Sequence, residues 1–454
     1  MSTAPASLLP ETRRRKTVAW VVSLATLTMI FDGYDLVIYG TVVPILLRDP
    51  HQIGELTPAT AGLLGSWALI GVLVGALTAG SVGDLIGRRK VMLFALAWFS
   101  IGMALTALMT NAAAFGLLRF ITGVGVGAIT GTVGALVSEF APPGKKNLCN
   151  AVVYSGFPIG SLLAALLAIL LTDAIGWRGM FAIGALPLVT LLPLAILKMP
   201  ESPTWLLSRG RVQQAQEASA RTGVPLPAQE PAPAAASRSE RAGYAGLFGR
   251  DYWLPTILIG LMSAIGLILV YTLNTWLPEL MLRAGFEAKG SLSFLLLLNG
   301  GAALGALGGS RFADRLGPKP VVITCFLIGA ASFVVLTVSL PLALLLLVVA
   351  VAGLGTTGTQ ILIYGLVANY YRTNVRGAGV AWCAEFGRLG GIAGPLIGGI
   401  LIGAGLSTNA IFYVLVGLGV FGAILTLALP RADRRRYAPD GPVDAPTTGT
   451  HAVN

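Results

Sequence analysis

Twelve stretches of this chain are each apolar for long enough to cross the roughly 30 Å of hydrocarbon in a bilayer. They lie near residues 17–43, 59–82, 91–110, 113–138, 149–172, 176–197, 253–280, 289–309, 320–338, 341–368, 378–403 and 409–430. In lipid a spanning segment must satisfy its own backbone, so each run reads as a helix. The predicted fold class is an all-α membrane protein with twelve transmembrane helices. Only 11% of the residues are charged, against about 25% in a soluble domain. The 58 glycines suit helices that pack closely in lipid. The first run has no small-residue cleavage site and is too long for a secretory h-region, so it reads as an uncleaved span.

The formal net charge is +11, a surplus that can signal nucleic-acid binding. Its distribution signals topology instead. With twelve spans, RRRK (13–16), RRK (88–90), KK (145–146), the 198–252 segment, 311–319, 372–376 and RADRRR (431–436) all fall on one side. Only Arg48, Arg178, Arg283 and Lys289 fall on the other, and Arg119 and Arg388 lie inside spans. This is the positive-inside pattern, with both termini cytoplasmic and the lipid bilayer, not nucleic acid, as partner. Cys149, Cys325 and Cys383 fall within spans and have no disulfide or metal spacing.

The longest polar segment divides the spans six and six. The expected organisation is an N-terminal tail (1–16), a six-helix bundle (17–198), a cytoplasmic linker (199–252), a second six-helix bundle (253–430) and a C-terminal tail (431–454). The tails are polar and read as disordered. Within the linker, RVQQAQEASARTG reads as a short surface helix and PLPAQEPAPAAASRSE as a Pro/Ala spacer. The halves repeat. GSVGDLIGRRKVM after the second span matches SRFADRLGPKPVV after the eighth, so Asp84 aligns with Asp314 and Gly87 with Gly317. The same offset lays VSEFAPPGKK (137–146) over VANYYRTNVR (367–376). Two pseudo-symmetric bundles follow, with a site at their interface near the midplane.

Gly80-Ser-Val-Gly-Asp84-Leu-Ile-Gly87-Arg88-Arg89-Lys90 resembles the signature loop of the major facilitator superfamily. The second-half copy departs from it, with Ser310 for the first glycine and Pro318 before Lys319. RFITGVGVG (119–127) is similar to that superfamily's fourth-span motif. PESPTWLLSRGR (200–211) resembles its sugar-porter and organic-acid branches alike. DGYD in span 1, YTLNTWLPEL in span 7 and GRLGGIAGP in span 11 together resemble the aromatic acid:proton symporter family. The resemblance implies the major facilitator fold, location in a bacterial inner membrane, and alternating access by rocking of the halves. It also implies that Asp84, with Arg88 and Arg89, latches the halves in the outward-open state, and that Gly80, Gly87 and Asp314 belong to the same gating loops.

The charges inside spans carry the chemistry. Asp32 and Asp35 are three residues apart on one helix face, and Tyr39 continues that face. Asp32 lies roughly 20 Å along a helix that starts near 17, close to the midplane. A carboxylate in hydrocarbon costs roughly 2.5–3.5 kcal/mol on insertion scales. Two together suit a group that must take up and release protons. The alternative is a hydrogen-bonded pair that holds the bundle, and which of the two carries the proton stays open. Arginine keeps its proton in proteins, so Arg119 and Arg388 each need an anion. Arg388, near mid-span, reads as a bidentate ligand for a substrate carboxylate, or as the partner of Glu385 three residues before it. Arg119, nearer the outer end, reads equally as a relay to Asp32 or Asp35 or as a substrate contact. Glu139 closes span 4 and reads as a proton-coupling group or as a partner for Arg88 or Arg89. Trp382, Phe386, Tyr39 and Tyr154 are candidates to hold an aromatic ring, ahead of Trp276, which fits an outer aromatic belt. Tyr271 and Tyr364 are further aromatic positions on spans 7 and 10.

GLGTTG (353–358) is a literal G-x-G-x-x-G, but it lies inside an apolar span without a βαβ setting, so it reads as helix-packing glycine. GGIAGPLIGG (390–399) resembles the antiporter motif of drug exporters but sits in span 11, where that motif does not belong. His51 reads as an ordinary loop histidine. Neither a Walker sequence nor a nucleophile–base set is present, so an enzyme is not expected. The function expected is proton-coupled uptake of an aromatic carboxylic acid such as a hydroxybenzoate, by a monomer, with protons as coupling ion and no cofactor. The alternatives are a symporter for a non-aromatic acid or a sugar, and a transporter-like sensor that binds without translocating.

Overall fold

The computed structural model describes residues 8–142, 144–226, 243–250 and 252–430, and its regular elements are all helical. Helices α1 (Leu8–Arg48), α2 (Pro58–Ile86), α3 (Arg88–Ala107) and α4 (Ala112–Phe140) make the first four crossings. Next, α5 (Lys146–Tyr154) leads into α6 (Gly156–Gly184). Within α6, Gly176 adopts φ 65, ψ 179 and breaks the helix, ending the fifth crossing. The sixth is the remainder of α6, a 3₁₀ turn (Leu186–Leu188) around Pro187, and α7 (Leu191–Lys198). Short helices α8 (Pro203–Ser208), α9 (Val212–Thr222) and α10 (Gly243–Leu247) belong to the linker. The second half comprises α11 (Trp253–Arg283), α12 (Ala288–Leu316), α13 (Pro318–Val335), α14 (Leu342–Gly353), α15 (Thr359–Tyr370), α16 (Thr373–Gly403) and α17 (Thr408–Ala428). A π-helical turn (Leu354–Gly358) joins α14 to α15, so GLGTTG is a distorted stretch of the tenth crossing. Among the described residues eleven helices are long and apolar enough to cross a membrane, and the shorter apolar piece Leu186–Lys198 belongs to the remaining, broken crossing.

The N-terminal boundary differs from the polar tail expected over 1–16. Residues 8–16 are helical, because Glu11 and Arg15 pair at 2.8 Å one turn apart and Arg13 donates to the Ala220 carbonyl of α9 at 2.9 Å. The expected surface helix is α9, closed by Gly223 in the left-handed region. Residues 1–7, most of the Pro/Ala spacer (227–242) and the C-terminal tail (431–454) lie outside the described residues.

The internal repeat survives as backbone geometry. Gly87 (φ 108, ψ 144) and Gly317 (φ 90, ψ 150) each end one helix and begin the next. Each donates its N–H to the carbonyl four residues back, Gly83 at 3.1 Å and Ala313 at 2.9 Å. A side chain would be strained at either φ, which explains why the repeat keeps glycine there.

Small residues set the helix spacing. Along α2 and α4, a Cβ on Gly71, Gly75, Gly123 or Gly127 would run into the facing backbone carbonyl. Gly33 of α1 and Gly160 of α6 meet Phe157 and Ile30 in the same way. Lipid gives apolar helices no hydrophobic reason to associate, so close backbone approach supplies the contact instead.

The side carrying loops 83–90, 140–146 and the linker is called here the linker face, and its opposite the far face. Among the described residues the main contacts between the halves are those of α2 with α16, α12 with α6, and α1 with α11. Ser66 donates to the Ile392 carbonyl at 2.6 Å, and Gly62 packs on Pro395 and Gly399. Gly40 abuts the Asn274 carbonyl, Arg48 pairs with Glu279 at 2.7 Å, and Lys289 pairs with Asp173 at 2.9 Å. All of these contacts lie in the far half of their helices, so the far face is shut.

Candidate functional site

The two aspartates of α1 have different environments. Asp35 accepts from Arg119 Nη1, and both side chains are buried, at 7% and 3% exposure. The Arg119 guanidinium also lies over the rings of Tyr39 (5.1 Å) and Phe181 (5.8 Å). Tyr39 is fully buried, and its hydroxyl donates to the Ala61 carbonyl at 2.5 Å. Phe115 packs against Tyr39 and Phe181, sealing the pair inside the N-terminal half.

Asp32 makes no hydrogen bond or ion pair among the described residues. Yet it is absent from the sealed, unpartnered atoms of the interior, so its oxygens reach open space. The charges acting on it are Asp35 and, from the other half, Arg388. Arg388 is partly exposed, and its Nε stands 3.4 Å from Glu385 Oε2. That is too long for a good hydrogen bond, and the oxygen makes none. The guanidinium is thus only loosely held. Tyr154 and Tyr271 lie within reach of the charges of both Asp32 and Arg388, and Tyr364 within reach of Arg388 and Glu385. Tyr154 is exposed, and Tyr271 packs over Gly391, one turn beyond Arg388. Asp32 of one half, Arg388 of the other and these phenols therefore lie within electrostatic reach of one another near mid-depth.

The structure does not bring every predicted residue to this place. Glu139 lies on the linker face, about 30 Å along α4 from Arg119, where its Oε1 accepts from Arg88 Nε at 3.3 Å. Arg88 also pairs with Asp84 at 2.5 Å. The Asp84 carbonyl accepts from Trp205 (2.8 Å) and Arg209 (2.6 Å), and Arg89 donates to the Ile196 carbonyl at 2.7 Å. These bonds tie the signature loop to 200–211 within its own half. Gly80 is exposed beside them, and Asp314 is exposed without an ion pair among the described residues. Trp382 donates its indole N–H to the Thr256 carbonyl at 2.8 Å and packs between Phe248 and Phe386. Trp276 does not face an outer belt. It is fully buried against Gly398, and its N–H donates to the Pro395 carbonyl at 2.8 Å.

Glu201 caps the start of α3, accepting from the backbone N–H of Arg89 (3.1 Å) and Ser202 (3.2 Å). Burial holds its carboxyl above the ordinary range, against those two bonds. Sequence reasoning also missed Glu279, an acid at the end of an apolar run that the structure buries between Arg48 (2.7 Å) and Arg283 (2.8 Å). The arginine four residues later was the available signal.

Residues 21–430 match the family model described as "Sugar (and other) transporter". The chain is 34% identical to the benzoate transport protein of Acinetobacter baylyi, covering 92% of this chain and 91% of that protein. It is 33% identical to the gentisate transporter of Corynebacterium glutamicum, over 89% and 86%. Against the 4-hydroxybenzoate transporter of Pseudomonas aeruginosa it is 30% identical, over 87% and 89%. Among solved structures, the xylose transporter XylE of E. coli in a partially occluded inward-open conformation superposes with a TM-score of 0.72. That likeness has 20% identity and covers 92% of this chain and 99% of that one.

Proposed function

The chain belongs to the sugar (and other) transporter family of the major facilitator superfamily, and from that premise we propose proton-coupled uptake of an aromatic carboxylic acid such as benzoate or a hydroxybenzoate. The linker face is cytoplasmic, as the distribution of Lys and Arg supports. The membrane is a bacterial inner membrane, and protons are the coupling ion.

One observation carries the division of labour. Asp35 is locked on Arg119, whereas Asp32 has no fixed partner and faces Arg388 across the two halves. A carboxyl open to water and free of a cation can exchange its proton with the cleft; one sealed on a guanidinium cannot. Asp32 therefore takes the proton in the outward-facing state. The acid anion docks on Arg388, with its ring among Tyr154, Tyr271, Tyr364 and Phe386. With Asp32 neutral and Arg388 neutralised by the substrate, no uncompensated charge has to be desolvated as the cleft closes, and the halves rock past each other. Asp35 and Arg119 keep α1 and α4 moving as one body. The Asp84, Arg88 and Glu139 cluster tunes the switch without touching substrate.

The test is uptake of radiolabelled benzoate, 4-hydroxybenzoate, succinate and xylose into proteoliposomes under an imposed pH gradient, with and without a protonophore. Accumulation of the aromatic acids alone, abolished by the protonophore, is the predicted result. Binding without uptake would instead favour the sensor reading.

A further inference from the structure

Four basic side chains stand on the far face, and each has a partner there. Arg178 is committed within its own half, to Gln52 and the Met109 carbonyl. Lys289 pairs with Asp173, both well exposed. Arg48 and Arg283 share Glu279, which is 3% exposed. Arg283 lies four residues beyond Glu279 on α11, so its bond survives any rigid-body motion of the halves. Arg48 ends α1 of the other half, so its bond does not. Arg48 is half exposed, and only its Nη1 has protein partners, Glu279 and the Pro44 carbonyl. Its Nε and Nη2 are unused among the described residues.

Opening the far face must pull Arg48 away from Glu279. Glu279 then retains Arg283, and Arg48 is left at the mouth without an acid. The adjacent Asp49 cannot replace it cheaply, because its oxygens already accept from Gln52 Nε2 at 2.6 Å and the His51 amide at 3.0 Å. We propose that Arg48 then receives the carboxylate of the incoming acid, so that one guanidinium both locks the shut far face and first captures substrate when that face opens. This rests on the acid-transport reading above. Glu279 gives Arg48 a single oxygen, its other being held by Arg283, so an acid carboxylate can take the same Nη1 and add the unused Nε or Nη2 as a second donor. When the acid moves on to mid-depth, Arg48 returns to Glu279 and the face shuts behind it.

The experiment compares Arg48→Gln, Arg48→Lys and Glu279→Gln for two readouts. The first is labelling of a thiol introduced by Ser66→Cys at the far-face seam, with the native cysteines replaced by alanine and a membrane-impermeant reagent. Both neutral variants should label faster than the parent. The second is KM for 4-hydroxybenzoate uptake, expected to rise about tenfold in Arg48→Gln, to recover in Arg48→Lys, and to stay level or fall in Glu279→Gln. Elution of all three as single species from a sizing column checks their folding. Unchanged labelling in both neutral variants overturns the lock, and equal KM in Arg48→Gln and Glu279→Gln overturns the capture. A parent that takes up no aromatic acid overturns the acid-transport reading and the capture with it, while the labelling still reports on the lock.

Discussion

The Asp35–Arg119 pair offers a magnitude that can be worked from its surroundings. Asp35→Asn leaves a guanidinium at 3% exposure without its counter-charge, and removing one member of a buried pair costs about 3–5 kcal/mol. The contacts of Arg119 with Tyr39 and Phe181 exist in parent and variant alike, so they do not offset that loss. Adding Arg119→Gln removes the stranded charge and leaves two neutral amides that can bond each other. The double variant should therefore be more stable than Asp35→Asn alone, with a coupling energy of about 2 kcal/mol or more. Asp32→Asn removes no protein partner, so its cost should stay within about 1 kcal/mol. Unfolding of the parent, Asp35→Asn, Arg119→Gln, the double variant and Asp32→Asn in mixed micelles, titrated with a denaturing detergent, reads these differences. The reasoning is refuted if the double variant is as unstable as the sum of its singles, or if Asp32→Asn costs as much as Asp35→Asn.

Three further outcomes follow from the same structure. Gly160→Val drives a side chain into the Ile30 carbonyl and should lower stability by at least about 1–3 kcal/mol, seen as loss of folded protein on extraction. Glu201 binds its proton more tightly folded than unfolded, because burial raises its carboxyl. Its contribution to stability therefore falls as pH rises above the ordinary 4.5 and is level below it, and Glu201→Gln should flatten that slope in a pH series of melting curves. Trp382→Phe keeps the ring but loses the bond to Thr256, so stability should drop by about 1 kcal/mol with the KM for 4-hydroxybenzoate unchanged.

Much of this architecture is legible in the sequence. The apolar runs located the crossings, and the offset between GDLIGRRK and ADRLGPKP located the repeat that Gly87 and Gly317 realise as matching backbone turns. The midplane charges stood out because hydrocarbon makes them costly. What the letters could not separate was Asp32 from Asp35. Both lie on one helix face, and only the rotation of α1 against α4 decides which meets Arg119. Trp276 was misjudged because its depth depends on Gly398 making room in a helix more than a hundred residues away. Glu279 was overlooked because an acid at the end of an apolar run resembles a boundary. The latch expected of the signature loop belongs to the outward-open state, and with the far face shut the bonds of that loop lie within one half.

The central claim, that Asp32 carries the proton that drives the acid, is tested most directly by Asp32→Asn in proteoliposomes. Exchange of labelled for unlabelled 4-hydroxybenzoate at equal pH should persist, because Arg388 and the phenols remain. Accumulation driven by a pH gradient should vanish. Gradient-driven accumulation at the parental level would contradict the account.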